Sequence, residues 1–235
     1  PIKELREDSL TELNLEGKGV GVSGALVLKE LISFNASLTE LDLSQNDLGG
    51  ETDYVKASEV QGDSFEVGDK VMYQGQEMVV SQVKDSDGDI KMLCHSGITA
   101  IAGALGISAS LTSLGLFGNH LKDEGIAIIC EAFQNNKATK LASLNIGANE
   151  ITPIGVQSVA AMMAVMTSLT SIDLSFNKMG KDAILSLLSI CKHKDQLESI
   201  SLAGCNLGVE EVSAVAEYLR VSASLTSLGL FNNNL

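Results

Sequence analysis

Three stretches of the chain carry residues whose type and spacing could support chemistry. The first is Gly19-x-Gly21-x-x-Gly24, which follows a predicted strand and opens a predicted helix, with Asp42 about 18 residues further on. This arrangement is typical of loops that hold a dinucleotide phosphate at a helix N-terminus. Equivalent glycines recur along the chain, at Gly49, Gly180 and Gly208 for Gly21 and at Gly97, Gly125 and Gly155 for Gly24. Turns leading into helices explain the pattern better, and no cofactor is predicted.

The second stretch, Asp85-Ser86-Asp87-Gly88-Asp89-Ile90, resembles the middle of a calcium-binding EF-hand loop. When Gly88 is aligned with the required glycine, Val83 takes the first ligand position and Cys94 the position of the bidentate glutamate. Because neither is a calcium ligand, the pattern indicates an acidic hairpin turn instead.

The third group places cysteines beside histidines. Cys94-His95 and Cys191-Lys192-His193 lack the spacing of zinc ligands. The three histidines of the chain also offer no nucleophile elbow with a base beside it. We therefore predict no metal site and no enzymatic activity.

Composition excludes further classes of protein. Of the 235 residues, 16 are basic and 30 are acidic, and the formal net charge of −14 argues against nucleic-acid binding. No run approaches the ~20 apolar residues of a membrane helix, so no membrane span is predicted. The four cysteines contain no Cys-x-x-Cys pair, which favours reduced, buried thiols over disulfides and an intracellular, cytoplasmic location.

A repeated phrase dominates the sequence. The pattern L-x-x-L-x-L-x-x-N-x-L, with some substitutions, starts at residues 38, 111, 141, 169, 197 and 225, and a degenerate copy starts at residue 10. Alternating leucines predict a strand with one buried face, and the second half of each copy has apolar residues at helical spacing. Since one copy cannot bury its own apolar face, neighbouring copies must stack.

This phrase resembles the leucine-rich repeat family, and the usual period of 28 residues with a helical second half is similar to the ribonuclease-inhibitor-like subfamily. The resemblance implies an α/β fold, a horseshoe-shaped solenoid with a parallel sheet on its concave side and helices on its convex side. Cys205 stands where the other copies have the motif asparagine, and the family pattern allows either residue there.

An insertion interrupts the repeats, because the second and third copies lie 73 residues apart. We predict that residues 1–51 hold the first repeat and part of the second, that 52–96 form an inserted small antiparallel β-module, and that 97–235 complete the second repeat and continue to a partial seventh. Residues 64–67, 70–73, 77–83 and 90–93 alternate like short strands. The segment 67–75 resembles the opening of Tudor- or KOW-type small β-barrels.

Two roles for the inserted module stay open. Its 4 basic and 9 acidic residues favour a structural or docking role, because a KOW-like nucleic-acid reader would be basic. A ligand-reading role of the Tudor kind would need a cage of aromatic rings, and only Tyr54, Phe65 and Tyr73 are available.

The residues between the leucines of each strand face the concave side. They are acidic in the first two copies, small in the later ones, and joined by a few aromatic rings. We expect the acidic part to meet a basic segment of a partner protein and the rings, with Phe117 and Phe231 about 20 Å apart, to anchor it. The alternative is a sheet without any ligand. The predicted partner-binding residues are Glu12, Asn14, Glu40, Asp42, Phe117, Asp173, Phe176 and Phe231.

These features together predict a non-enzymatic interaction module or scaffold subunit of an intracellular assembly. The alternative, implied by the resemblance to the Ran GTPase-activating members of the subfamily, is a regulator of a small GTPase, which a GTP-hydrolysis assay would distinguish. Repeat arrays need polar caps, and Leu235 follows directly on a strand. We therefore expect the chain to continue past Leu235 or to pack there on another chain.

Overall fold

The computed structural model describes residues 7–52, 54–62, 64–84 and 88–234. Each repeat contributes one short strand to the main sheet: β1 Glu12–Asn14, β2 Glu40–Asp42, β7 Ser113–Gly115, β8 Ser143–Asn145, β9 Ser171–Asp173, β10 Ser199–Ser201 and β11 Ser227–Gly229. The seven strands are parallel and lie side by side in this order. The predicted parallel sheet of a leucine-rich repeat solenoid is thereby confirmed.

Equivalent residues of successive repeats are neighbours across this sheet. Leu13 pairs with Leu41, and Leu41 pairs with Leu114, a register that continues to β11. In the first six strands of this sheet, β1, β2 and β7 to β10, the central side chain is buried, whereas its two neighbours are half-buried or exposed. The alternation of the repeat phrase therefore produces one core face and one accessible concave face.

Helices cover the other face of the sheet. They are α1 Val22–Ser33, α2 Ser96–Leu105, α3 Lys122–Asn135, α4 Pro153–Val165, α5 Lys181–Cys191 and α6 Val209–Val221. A continuous core between sheet and helices runs from Leu13 to Tyr218. It is mainly aliphatic, with Phe133 and Tyr218 as its buried rings, which agrees with the low aromatic content of the sequence.

A ladder of buried asparagines joins successive repeats where the strands end. Oδ1 of Asn119 accepts the backbone N–H groups of Asn46, at 3.2 Å, and Leu48, at 3.1 Å. Its Nδ2 donates to the carbonyl groups of Leu43, at 2.8 Å, and Leu116, at 3.1 Å. The same bonds to the preceding repeat recur at Asn149, Asn177 and Asn233. These amides satisfy backbone groups that the turns would otherwise bury without partners.

Cys205 occupies the ladder position of the sixth repeat. Its thiol contacts the carbonyl oxygens of Leu174, at 3.4 Å, and Ala203, at 3.5 Å. Burial raises the pKa of this thiol, so it stays protonated. The thiol donates in both contacts, and because a thiol is a weak donor as well as a weak acceptor, the ladder is weaker here than at the asparagine positions.

A second sheet, antiparallel and four-stranded, lies in the chain between β2 and α2. Its strands are β3 Val55–Lys56, β4 Lys70–Tyr73, β5 Gln76–Val83 and β6 Asp89–Leu93, in the spatial order β3-β6-β5-β4. The prediction of a strand over 64–67 was wrong. The Asp69 carboxylate accepts hydrogen bonds from the Ser64 hydroxyl, at 2.5 Å, and the Glu66 backbone N–H, at 2.8 Å, which folds this stretch into a turn.

Apolar packing and a group of charged side chains attach this sheet to the solenoid. Its apolar core packs against Val22 of α1. Oε1 of Glu51 lies 2.5 Å from Nζ of Lys122 on α3 and accepts a hydrogen bond from Ser81, while Oε2 lies 3.7 Å from Nζ of Lys91. Burial raises the pKa of Glu51, but the two lysines and Ser81 outweigh it and leave that pKa below its ordinary value.

Two sequence features fall outside the described residues: the acidic segment 85–87 of the EF-hand-like pattern, and Leu235. In the part of the chain that the structure describes, none of the helices has the length and apolar character needed to span a bilayer.

Candidate functional site

The acidic residues of the concave face come together at one end of the main sheet. Glu12 is the direct neighbour of Glu40, and Asn14 is the direct neighbour of Asp42. Adjacent strands place such side chains about 5 Å apart. Both glutamates are exposed, and in the described ranges neither forms an ion pair. This end of the sheet therefore carries an uncompensated negative potential.

A shallow cavity of about 370 Å³ lies over the acidic end. Glu12, Glu40 and Asp42 line one part of it, and the smaller Ser113 and Ser143 of the next strands line the other. The residues predicted for partner binding in the first two repeats thus border one concave space.

Three of the predicted residues also have a local structural role. A side-chain oxygen of each accepts a hydrogen bond, at 2.8 to 2.9 Å, from the backbone N–H two residues further on. The three are Asn14, Asp42 and Asp173. Such turns end a strand, so turn geometry by itself accounts for polar residues at these positions. The carboxylates of Glu12 and Glu40, by contrast, take no part in such turns.

Serines continue the row that begins with the two glutamates. Ser113, Ser143, Ser171, Ser199 and Ser227 stand in register on five successive strands. Throughout the described chain, the hydroxyls of these serines have no hydrogen-bond partner in the protein. These five short side chains form a narrow polar strip on the concave face, which other molecules can approach closely.

The three predicted rings form one continuous row. The ring centroids of Phe117 and Phe176 lie 6.4 Å apart, and those of Phe176 and Phe231 lie 5.9 Å apart, both pairs packed edge to face. The outer rings are therefore at most about 12 Å apart, the sum of the two distances. The expected separation of about 20 Å was wrong, because strand spacing ignores the direction in which the side chains point.

Glycines make room for this row of rings. A Cβ on Gly147 would lie 2.8 Å from Cδ2 of Phe117, and one on Gly204 would lie 2.5 Å from Cδ1 of Phe176. Each ring thus leans over the glycine of the following repeat, while Phe176 and Phe231 remain 42% and 62% exposed. The sequence pattern does not indicate these two contacts, although Gly147 stands where every other repeat carries a side chain.

Asp173 does not join the acidic end. It lies on β9, between Asn145 on β8 and Ser201 on β10, three strands away from Asp42. The structure places it in the repeats that carry the rings, so the concave face has an acidic part at β1 and β2 and an aromatic part from β7 to β11.

The other residues considered for chemistry have structural surroundings. Gly21 directly precedes α1, and a Cβ on Gly24 would lie 3.1 Å from the side chain of Val20. Burial raises the pKa of Cys130 and Cys191 to about 12, which keeps both thiols protonated and unreactive at neutral pH. Among the described residues, no group of three or more His, Cys, Asp and Glu side chains is arranged to hold a metal ion.

Comparison with known proteins points to repeat proteins. A family model described as "Leucine Rich repeat" matches residues 34–51, 108–130, 137–160 and 165–188. Ribonuclease inhibitor of Sus scrofa is 28% identical over 228 residues, which cover 95% of this chain and 46% of that protein. NACHT, LRR and PYD domains-containing protein 12 of Mus musculus is 27% identical over 209 residues, which cover 88% of this chain and 18% of that protein.

Among solved structures, Leiomodin-1 Actin-Binding Site 2 matches 52% of this chain and 70% of its own, with a TM-score of 0.44 and 17% identity. The chain spans less than half the length of either sequence relative.

Proposed function

We propose that this chain, a leucine-rich repeat protein of the ribonuclease-inhibitor-like subfamily, binds a partner protein on its concave face. Its similarity to other proteins of this kind supports a role in protein interaction. The partner presents a basic segment, and the chain acts as a non-enzymatic interaction module or scaffold subunit. One observation carries this proposal: Glu12 and Glu40 stand side by side, exposed and without cationic partners in the described chain.

Electrostatics favours a basic partner. Two carboxylates about 5 Å apart repel each other, and the net charge of −14 adds to the negative potential around them. Lysine or arginine side chains of a partner relieve this repulsion on binding. A long-range field of this kind accelerates association and is screened by salt.

The aromatic row, at the other end of the concave face, also favours partner binding there. Phe176 and Phe231 keep much of their ring surface accessible although large apolar side chains are ordinarily buried. Exposed rings at the centre of an interface often supply most of the binding free energy, because they lose water and pack tightly on association. The rings therefore act as anchors that set the lifetime of the complex.

Two variants test this proposal once a partner has been captured with the immobilised wild-type protein. Glu12→Lys with Glu40→Lys should slow association in a salt-dependent way, whereas Phe117→Ala should mainly speed dissociation. A matched charge reversal on the convex helices, Glu30→Lys with Glu131→Lys, should leave both rates within about twofold. Unchanged kinetics in both concave-face variants would locate the partner elsewhere, on the helices or on the antiparallel sheet.

A further inference from the structure

The two parts of the concave face lie in a fixed order along the sheet. The unpaired carboxylates are on β1 and β2, and the ring row extends over the strands from β7 to β11. A segment that crosses the strands meets the acidic part at one end and the rings at the other. The partner's segment must therefore be chemically asymmetric and bind in one direction.

We infer that this segment is an amphipathic α-helix whose N-terminus lies over Glu12 and Glu40 and whose apolar side chains lie against the ring row. This inference rests on the proposed function, because it describes the partner of the same face. It adds the conformation of the segment and its direction, neither of which follows from charge alone.

The acidic end suits a helix N-terminus. The first turn of a helix carries unpaired N–H groups and a partial positive charge from the helix dipole. The carboxylates of Glu12 and Glu40 stabilise that charge, and basic side chains in the first turn add to the attraction. A helix bound in the opposite direction would bring its partly negative C-terminus against the same carboxylates.

The ring spacing suits helical side chains. Residues four apart on a helix lie about 6.0 Å apart along its axis, and the ring centroids lie 6.4 and 5.9 Å apart. In an extended chain, side chains on one face repeat about every 6.6 to 6.8 Å, which drifts out of step with the rings. The short side chains of Ser113 and Ser143, which line the cavity over the acidic end, let a cylinder of helical width approach the sheet.

The distance between the two parts sets the length of the helix. Three and a half strand spacings separate the middle of the Glu12–Glu40 pair, between β1 and β2, from the middle of the ring row at β9, or about 17 Å. A helix covers this distance in about 11 residues. The expected segment thus has basic residues in its first turn and apolar residues, four apart, about 11 positions later.

A designed peptide provides the probe. It is an alanine- and glutamine-based helix of about 20 residues with two arginines in the first turn and two leucines, four apart, about 11 positions later. Three companions share its composition closely: the reversed sequence, a version with a central proline that breaks the helix, and a version whose leucines are moved by two positions to the opposite face. Binding is measured by fluorescence anisotropy at low salt.

The forward peptide should bind most tightly. The reversed peptide can still bring arginines to the acidic end by turning round, but with its dipole opposed, and should bind about three- to fivefold more weakly. The proline and shifted-leucine versions should lose about tenfold or more, and Phe176→Ala should weaken the forward peptide without affecting the shifted one.

The outcomes separate this inference from the proposed function. If forward and reversed peptides bind equally well, the inferred direction is wrong, and if the proline version binds as tightly as the forward one, the inferred helix is wrong. In either case the proposal of a basic partner stands as long as Glu12→Lys with Glu40→Lys abolishes binding. If the peptides do not bind, or bind irrespective of the charge reversal, then both conclusions fall.

Discussion

The ring of Phe117 packs over Gly147 so closely that a Cβ on this glycine would lie 2.8 Å from Cδ2 of the ring. The same Cβ would lie 2.9 Å from Oγ of Ser175. The absence of a side chain at residue 147 is therefore a condition for the ring row and not a neutral variation of the repeat.

Gly147→Ala should displace Phe117 and destabilise the protein by about 1–2 kcal/mol, because the added methyl group has no free space. Thermal unfolding followed by circular dichroism measures the change. Gly103→Ala is the matched control: its Cβ would meet only Cε of Lys29, at 3.8 Å, on an exposed face of α2. That variant should gain up to about 1 kcal/mol from helix propensity. Equal behaviour of the two variants would show that the ring does not need the glycine.

Asn119→Ala should be among the most destabilising single changes in the chain. It removes two hydrogen bonds that Oδ1 accepts and three that Nδ2 donates, all with backbone groups of its own repeat and the preceding one. We expect a loss of about 3 kcal/mol or more in urea unfolding. Asn135→Ala, at the exposed end of α3, should stay within about 0.5 kcal/mol. A similar urea midpoint for both variants would mean that the ladder contributes little.

Cys205→Asn should stabilise the protein, because it restores the amide that the other repeats use. The backbone N–H groups of Asn177 and Met179 would gain the acceptor that Asn233 supplies to the repeat before it. A gain of about 1 kcal/mol is expected in thermal unfolding. Cys191→Asn is the control, since that thiol is buried in the helical layer and an amide there should destabilise. A lower midpoint for Cys205→Asn than for wild type would count against the ladder interpretation.

Glu51→Gln should destabilise the protein near neutral pH, because it breaks the ion pair with Lys122 of α3 that helps to attach the antiparallel sheet to the solenoid. The pKa of Glu51 is lowered in the folded state, so its contribution is fully present above about pH 4.5 and is lost as the pH falls through the lowered pKa. The midpoint difference from wild type should therefore shrink in acid. Glu77→Gln, in the exposed pair with Lys70, should show little difference at any pH. A difference for Glu51→Gln that does not depend on pH would contradict this.

The repeat phrase was sufficient to predict the main sheet and its helices. Leucines at alternating positions bury one face of each strand, and a period of about 28 residues, interrupted by the insertion between the second and third copies, then places successive strands side by side. The second repeat, which was expected to resume at residue 97, continues with α2 from Ser96. The antiparallel strands were harder to predict, because residues 64–67 alternate like a strand but are held in a turn by the side chain of Asp69.

The candidate site could be predicted only in part. Which residues face the concave side follows from alternation, and so does the pairing of Glu12 with Glu40. The ring row does not follow, although the left-handed turn that carries Phe176 recurs at the same position of every repeat, at Gly17, Gln45, Gly118, Ala148, Phe176, Gly204 and Asn232. The repeat pattern does not indicate that a ring at this position leans over the glycine of the following repeat, as Phe176 does over Gly204.

The salt dependence of peptide binding tests the basic-partner proposal most directly. The affinity of the forward peptide for the wild-type protein should fall as salt rises, because the carboxylates of Glu12 and Glu40 attract its first-turn arginines. Glu12→Lys with Glu40→Lys should bind the peptide at least about tenfold more weakly at low salt and should lose that salt dependence. If the variant instead binds with the wild-type affinity at every salt concentration, the acidic end of the concave face is not the binding surface.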